Sequence, residues 1–503
     1  MGLPTYPESY WLATASMPSY GKLEEDLSTD VAVIGGGIAG ITTACLLARE
    51  GKKVVLATAD KLLNGTTGYT TAKLTAQHDL IYDEYIGHFG EEKARLYYEA
   101  NMEGLEFVRR LVSEAGIDCD FAEEDAWIYT NSGSKLEAVE KEYEAYKRLG
   151  IPGSLEKSIP LTVPARLAVV MRGQARFHPV PYLRHLAEEF VRLGGRIFED
   201  TTIDKVEENG DTVTVTSADG RTITCGDAVS CSHFPIPDSG FYFARLHCES
   251  SYAIAVRAPG ELPRGMYISA EKPNRSVRTI TYGGEKLLLL GGESHKVGQK
   301  EPGFVHYEAL EDFAKQEFGA TDIVYRWSAQ DFEATDKLPY IGHVSEGKKH
   351  IYVATGFRKW GMTTSVVAAR LLTDLILGRD NRYADLYSPS RFHADPDLGT
   401  LAKENFNVAG QLISGKLEWV RRKPEDLGPD EGGHVRVNGR RAGAYRSPEG
   451  ELFVVDTTCR HMGCEVAWND GDRTWDCPCH GSRYTYRGEV IEGPAKKDLE
   501  RLS

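Results

Sequence analysis

Two short clusters of metal-ligating side chains near the C-terminal end constrain this chain more than any other feature. They read Cys459-Arg-His461-Met-Gly-Cys464 and Cys477-Pro-Cys479-His480-Gly-Ser482-Arg-Tyr484. Each supplies one Cys and one His, as Cys-x-His and Cys-x-x-His. A Cys2His2 zinc site is one reading of these four residues, but zinc sites favour Cys-Cys and His-His pairs, each of one ligand type. Mixed loops suit a two-iron centre in which the thiolates of Cys459 and Cys477 hold one iron and the imidazoles of His461 and His480 hold the other. Neutral imidazoles remove negative charge, so the centre accepts an electron more readily. The chain has 9 cysteines. The others, Cys45, Cys119, Cys225, Cys231 and Cys248, are scattered and read as buried small hydrophobes.

Over about residues 418–503 the chain resembles the Rieske [2Fe–2S] family, whose loops both clusters match. The resemblance implies a disulfide between Cys464 and Cys479, with two free buried thiols as the alternative in a reducing compartment. It also implies that Ser482 and Tyr484 hydrogen-bond to cluster sulfurs. Such bonds stabilise the reduced cluster, so the expected potential lies in the upper part of roughly −150 to +300 mV.

A second signal lies near the N-terminus. Asp30-Val-Ala-Val-Ile34 is a short apolar run, and Ile34-Gly35-Gly36-Gly37-Ile38-Ala39-Gly40 follows it. Helical spacing then runs from Ile38 to Arg49, and Lys53-Val-Val-Leu56 is a second apolar run. This is a βαβ unit with Gly35, Gly37 and Gly40 in a G-x-G-x-x-G turn. They suit a tight turn, close approach of a pyrophosphate and close helix–strand packing. A chance glycine loop is the bland alternative. The second strand of such a unit ordinarily ends in an acid that binds ribose. Here that position is Thr58, a weaker partner, with Asp60 as a substitute two residues on.

The remaining pattern is mixed. Residues 84–149 read as solvated helices, notably Glu91 to Arg110 and Lys135 to Arg148. Tyr182 to Leu193 reads as an amphipathic helix, followed by a strand at Arg196–Phe198 and a hairpin at Asp211–Thr224 turning at Asp219-Gly220. Residues 245–293 read as an antiparallel sheet and residues 350–378 as strand, glycine loop and helix. Pro389, Pro396 and Gly410 suit an extended linker, and the glycine-rich short strands after Leu417 suit a small all-β module.

Residues 28–380 resemble the D-amino-acid-oxidase-like FAD-dependent oxidoreductases. Gly65-Thr66-Thr67-Gly68-Tyr-Thr-Thr-Ala-Lys73 is similar to that family's loop under the flavin. His178-Pro-Val-Pro-Tyr182-Leu is similar to the start of a helix leading to the second FAD segment, and Val206 matches a backbone contact on the adenine side. Leu338-Pro-Tyr340-Ile-Gly342 and Gly356-Phe-Arg-Lys359-Trp360-Gly361-Met362-Thr363 resemble the segment closing beside the flavin ring. A helix after that loop would stabilise negative charge on reduced flavin. The order, with the Rieske segment last, resembles a bacterial subfamily of FAD oxidoreductases with C-terminal Rieske domains.

The expected fold is an α/β Rossmann-like FAD-binding domain with an interleaved α+β substrate domain, followed by a small all-β Rieske domain. Residues 1–27 form an N-terminal extension. FAD-binding parts fall at about 28–80, 170–235 and 325–380, and substrate-domain parts at about 81–169 and 236–324. A linker covers 381–417 and the Rieske domain 418–503. The expected cofactors are FAD and a [2Fe–2S] cluster.

Relatives that oxidise amines or amino acids bind substrate over the flavin, often with an arginine fork on a carboxylate. Arg278, in the expected substrate sheet, is the first candidate for that role. His295 is second, and Lys359 beside the flavin loop is third. The resemblance implies that a small amine or amino acid gives two electrons to FAD, which passes them singly to the cluster and on to an external acceptor. The alternative is an electron-transfer protein between redox partners with no organic substrate. A Rieske oxygenase would need a mononuclear iron site, and no Asp-x-x-His-x4-His occurs among the 14 histidines. The net charge of −15 argues against a nucleic-acid partner. No targeting segment is apparent, and the apolar window Val31 to Leu47 is short and glycine-rich, so no membrane span is expected and a cytoplasmic location is the default.

Overall fold

The structure is a computed structural model describing residues 2–298, 303–391 and 420–502. The βαβ unit is present as read: strand Val31–Ile34, helix Ile38–Arg49 and strand Val54–Ala57. Both strands are buried at every position. That burial explains their continuous apolar runs, because a parallel strand covered on both faces has no solvent side to alternate toward. They join Asp227–Ser230, Ile351–Thr355, Tyr340–His343 and Arg196–Phe198 in a six-stranded sheet, parallel except where Tyr340–His343 runs antiparallel to Ile351–Thr355. Helix Gly361–Ile376 packs against Ile38–Arg49.

A larger sheet of nine strands follows the order Asp322–Ala334, Leu246–Arg257, Leu287–Lys296, Arg275–Ile280, Met266–Ser269, Ala122–Thr130, Leu167–Arg176 and Lys73–Leu74, with Gly153–Glu156 also on Leu167–Arg176. Three of these strands, Lys73–Leu74, Leu167–Arg176 and Asp322–Ala334, come wholly or partly from stretches assigned above to the flavin-binding parts. The division of the chain is therefore more interleaved than the sequence pattern indicates.

Two further corrections concern local structure. The stretch 84–149 is not helical throughout. The helix Tyr82–Ala115, interrupted at Gly90, is followed by strand Ala122–Thr130 before helix Leu136–Leu149. Ala122–Thr130 lacks clean alternation and becomes a strand by pairing with Leu167–Arg176 and Met266–Ser269, so tertiary context overrides its local pattern. The extended linker begins instead with a helical turn at Ala384–Tyr387. Arg391 is then fixed by Asp336 at 2.7 Å, and the remainder of that stretch to residue 417 lies outside the described residues.

The N-terminal extension is built into the fold. Leu27–Ser28 pairs in parallel with Thr222–Cys225, and the helix Tyr10–Thr14 buries Tyr10 and Trp11 completely. The C-terminal module has a three-stranded sheet, Glu431–Val437, Arg440–Arg446 and Leu452–Val455. Its second sheet has four strands, Ala467–Asn469, Thr474–Asp476, Arg483–Thr485 and Val490–Glu492. Among the described residues no helix is long and apolar enough to cross a membrane.

Candidate functional site

The two Cys/His loops of the C-terminal module fold alike. In the first, the amide of Cys459 donates to the Cys464 carbonyl at 2.8 Å and Gly463 donates to the Cys459 carbonyl at 3.0 Å. In the second, Cys477 donates to Ser482 at 2.8 Å and Gly481 to Cys477 at 3.0 Å. Gly463 and Gly481 both have φ near +75° (75° and 73°), a region other residues rarely occupy. The matching turns pair these residues by type, ring with ring and thiol with thiol. The rings of His461 and His480 stand edge to face, 5.0 Å apart. Both Nδ1 atoms are buried without a hydrogen-bond partner. Cys459 and Cys477 are also buried, with their thiols hydrogen-bonded to each other.

Buried orphan nitrogens are costly unless something binds them, so this donor set fits a metal cluster. Burial, and then His461, holds His480 down to about 4, as a neutral ligand imidazole requires. A hydrogen bond with Cys477 lowers the Cys459 thiol, while the same bond and burial raise Cys477. The sulfurs of Cys464, Cys477 and Cys479 also lie within 4.8 Å of one another. Cys464 and Cys479 are joined in a disulfide, which removes them as ligands and leaves Cys459, His461, Cys477 and His480. The Ser482 hydroxyl is held by the Ala495 amide at 3.0 Å and reaches toward Cys459. The Tyr484 hydroxyl is 3.3 Å from the Cys459 sulfur.

In the larger half, Gly37 begins the helix Ile38–Arg49 without a side-chain cap, so backbone N–H groups face the place where a pyrophosphate would lie. A Cβ at Gly40 would stand 1.9 Å from the Gly35 carbonyl, so only glycine allows this approach. Thr67 accepts from the Ile38 amide at 3.1 Å and fixes its loop against the helix start. Val206 is buried in strand Ile203–Asn209. Thr58 packs over the glycine turn, where its Oγ1 would meet a Cβ on Gly36 at 3.0 Å. Asp60 does not replace it as an open acid, because its carboxylate takes the Lys61 amide at 2.7 Å and the Asn64 side chain. A nearby acid not anticipated from the sequence is Glu199, whose oxygens accept from Leu62 at 2.9 Å and Tyr20 at 3.0 Å.

The loop from Thr66 to Lys73 is clamped by distant residues. Ser9 donates to the Gly68 carbonyl, Trp11 Nε1 to Thr70 at 2.6 Å and Trp327 Nε1 to Tyr69 at 3.0 Å. The closing loop is anchored similarly. Trp360 stacks on His78 with centroids 4.8 Å apart, and Thr363 accepts from the Thr75 amide at 2.9 Å. Met362 is buried, and Gly356 and Gly361 bracket the loop at the start of helix Gly361–Ile376.

A cavity of about 110 Å³ lies between these two loops. Thr66, Lys73, Asn274, Ser276, Asp331 and Lys359 give it its polar character. Burial, and then the charge of Arg278, lowers Lys73 to about 7, and its ammonium donates to Ser276 and, at 3.4 Å, to Thr71. Burial raises Asp331 to about 7 while its carboxylate accepts from the Lys359 amide at 2.7 Å. The Lys359 side chain pairs with Glu249 at 2.8 Å.

Arg278 does not line this cavity, and its expected role is corrected. Its guanidinium is spent on the carbonyls of Thr71 at 2.6 Å, Phe177 at 3.4 Å and Thr279 at 3.5 Å, over the ring of Trp11. His295 is also elsewhere. It stacks on His306, 4.3 Å between centroids, beside a separate cavity of about 400 Å³ bordered by Asp430, Trp468 and Asp470. Sequence reasoning missed Asn274, Ser276 and Asp331, which carry no motif of their own.

The module docks with its imidazole loops against the larger half. Phe234 meets His461 at 5.8 Å and Phe243 meets His480 at 6.3 Å, centroid to centroid. A Cβ at Gly481 would be 2.5 Å from Cys248 Sγ and 3.1 Å from Gln330 Oε1. Gln330 follows Ala329 and precedes Asp331, both on the cavity wall, and its carbonyl accepts from Thr66 at 3.2 Å. A buried polar network holds the seam: Asp472 receives Arg483, Ser328 and, at 2.9 Å, Tyr307, while Arg326 donates to the Gly471 carbonyl at 2.6 Å.

A doubly layered α/β half with an open glycine turn, joined to a β module presenting two thiols and two orphan imidazoles, defines a flavoprotein oxidoreductase carrying an iron–sulfur domain. The model of the FAD dependent oxidoreductase family matches residues 30–375 and that of the Rieske [2Fe-2S] domain matches residues 419–503, so the chain belongs to the FAD-dependent oxidoreductases and carries a C-terminal Rieske domain. It binds FAD in the first part and a [2Fe–2S] cluster in the second. It is 48% identical over 497 residues to the Rieske 2Fe-2S iron-sulfur protein YhfW of Bacillus subtilis (strain 168), covering 99% of this chain and 97% of that protein. It is 22% identical to the gamma-glutamylputrescine oxidoreductase of Escherichia coli (strain K12), over 75% of this chain and 91% of that one. The glycine oxidase of Geobacillus kaustophilus shares the fold, with a TM-score of 0.62 and 18% identity over 73% of this chain and 99% of that one.

Proposed function

We propose that the chain oxidises a small amine or amino acid and relays the electrons from FAD through the cluster to an external acceptor. The observation that carries this reading is the strand Asp322–Ala334. Ala329 and Asp331 face the cavity, and Gln330 between them reaches toward the second Cys/His loop, where a Cβ on Gly481 would stand 3.1 Å from its Oε1. One strand therefore lies between the cavity and the loop that would hold the cluster. Bound flavin supplies the capacity to take a hydride from carbon next to nitrogen.

The side chains supply binding and charge. Lys73, held on Ser276 and Thr71, offers a desolvated cation to a carboxylate, and Asn274 adds a polar group on the same wall. Asp331 offers a carboxyl to the amine end. Lys359 holds Asp331 through its amide. Gly35, Gly37 and Gly40 with the helix start would hold the pyrophosphate, Thr58 and Val206 the adenosine end, and Thr66, Thr67, Gly356, Trp360, Gly361, Met362 and Thr363 the ring. The donor set Cys459, His461, Cys477 and His480 would hold the cluster. Relatives named for γ-glutamylputrescine and glycine support the substrate class.

The test is an anaerobic panel of amines and amino acids added to the holoprotein. An active compound should bleach the flavin and then produce the paramagnetic signal of the reduced cluster. Flavin that bleaches while the cluster stays oxidised refutes the relay, and a panel with no bleaching favours electron transfer without an organic substrate.

A further inference from the structure

A flavin nucleotide carries its groups in a fixed order: the ring, then a ribityl chain bearing hydroxyls, then the pyrophosphate. The turn from Gly35 to Gly40 suits the pyrophosphate, and the closing loop from Gly356 to Thr363 suits the ring. One short segment spans the ground between them. It leaves strand Asp227–Ser230 and crosses the glycine turn. There the Cys231 amide donates to the Ile34 carbonyl at 2.8 Å, and the Cys231 carbonyl would stand 2.4 Å from a Cβ on Gly35. Two residues later the His233 carbonyl accepts from the Thr355 hydroxyl at 2.6 Å, directly before Gly356. At Phe234 the segment reaches the module, with its ring centroid 5.8 Å from that of His461.

His233 is the unusual member of this segment. It has a φ of 66°, in the left-handed region. A residue with a side chain occupies that region at a cost and keeps it only where its surroundings hold it. Thr355 supplies one hold. Phe332 supplies another: its ring centroid lies 4.7 Å from that of the imidazole, and its carbonyl accepts from the Arg358 amide of the closing loop at 3.0 Å. Two residues earlier the same strand fastens the loop under the flavin, where Thr66 donates to the Gln330 carbonyl at 3.2 Å. The imidazole is therefore set among the segments that surround the flavin place. Its Nε2 is buried and has no hydrogen-bond partner among the described residues. A buried polar atom left without a partner costs free energy. His233 belongs to neither Cys/His loop, so the cluster does not account for this nitrogen as it does for those of His461 and His480.

We propose that His233 is an FAD-binding residue whose Nε2 pairs with a hydroxyl of the ribityl chain, its left-handed backbone aiming the ring at that place. A hydroxyl both donates and accepts, so it satisfies a neutral imidazole in either tautomer. A phosphate oxygen only accepts, and the helix start at Ile38 already serves the pyrophosphate. The same contact links the cofactor to the module. FAD that fixes His233 also steadies the next residue, Phe234, which packs against the cluster ligand His461. The assignment needs only bound FAD and stands whether or not the chain oxidises an amine.

The test uses the full-length protein with its cluster in place, stripped of flavin and titrated with FAD, flavin fluorescence giving the dissociation constant. His233→Leu should weaken binding about tenfold, the worth of one buried hydrogen bond. His233→Asn, which tolerates a left-handed backbone and keeps hydrogen-bonding atoms, should fall between the two. FAD analogues lacking the 2′-, 3′- or 4′-hydroxyl of the ribityl chain probe the contact without any substitution. In the unsubstituted protein one of them should bind about tenfold more weakly than FAD, and His233→Leu should bind that analogue and FAD alike. Paramagnetic resonance of the reduced cluster gives a readout separate from affinity: removing FAD should alter its g values in the unsubstituted protein and leave them unchanged in His233→Leu. Unaltered FAD affinity in His233→Leu overturns the assignment, as do analogues that all bind like FAD, or losses from variant and analogue that simply add. A resonance that ignores FAD in the unsubstituted protein overturns the link to His461.

Discussion

The Tyr484 hydroxyl stands 3.3 Å from the Cys459 sulfur and accepts the Arg460 amide at 3.1 Å. With its lone pair engaged by that amide, its own proton is directed to the sulfur. The bond strengthens as the cluster gains negative charge, so it favours the reduced form. Tyr484→Phe should lower the midpoint potential by on the order of 50 mV, the one-electron equivalent of about 1 kcal/mol. Redox titration followed by paramagnetic resonance measures it, and unchanged iron content separates this effect from cluster loss.

The Cys464–Cys479 bridge closes a separation of 15 residues and ties the two ligand loops together. Closing a loop of that size stabilises a fold by about 3 kcal/mol. The paired change Cys464→Ser with Cys479→Ser should lower the temperature at which the cluster's visible absorbance disappears. Flavin release from the larger half should occur at a less altered temperature.

The Rieske domain was legible in the sequence because metal chemistry demands particular residue types at fixed short spacing. The glycine turn was legible because a Cβ at Gly40 would collide with the Gly35 carbonyl. Arg278 shows where such reasoning stops. By strand alternation it shares a face with Ser276, which does line the cavity. What closes Arg278 off is Trp11, together with the carbonyls of Thr71 and Phe177. Those contacts depend on how the N-terminal helix docks, and no local pattern encodes that. Asp331 was invisible for the same reason, since its place on the cavity wall arises only in the assembled sheet.

Lys73 and Arg278 should therefore respond differently to substitution. Lys73 is lowered to about 7 by burial and by Arg278, so its ammonium is present below that pH and is lost above it. The KM for a substrate bearing a carboxylate should rise as pH rises through about 7. Lys73→Met should flatten that profile and raise KM by roughly ten- to a hundredfold, the equivalent of one charged hydrogen bond. Arg278→Ala should not raise KM in the flavin-loaded fraction but should move its pH profile upward, because a charge that helps lower Lys73 is gone. It should also reduce FAD occupancy and thermal stability, because the carbonyls it serves lose their donor.

Asp472 gives the docking seam its own acid sensitivity. Burial would raise this carboxyl, but Arg483, Ser328 and Tyr307 outweigh that and hold it below the usual range. A carboxyl lowered in the folded state stabilises it above the unfolded value, about 3.9, and that contribution is lost as pH falls through the lower folded value. Asp472→Asn removes the charge at every pH and leaves Arg483 with Asp476 at 3.1 Å as its remaining ion-pair partner. Breaking a buried pair in this way costs about 3–5 kcal/mol. In denaturant at neutral pH, the unsubstituted protein should lose cluster and flavin absorbance together. In Asp472→Asn the cluster should bleach at lower denaturant than the flavin is released, because the module would no longer be held by the larger half. Coincident transitions in the variant would show that the network contributes little to docking.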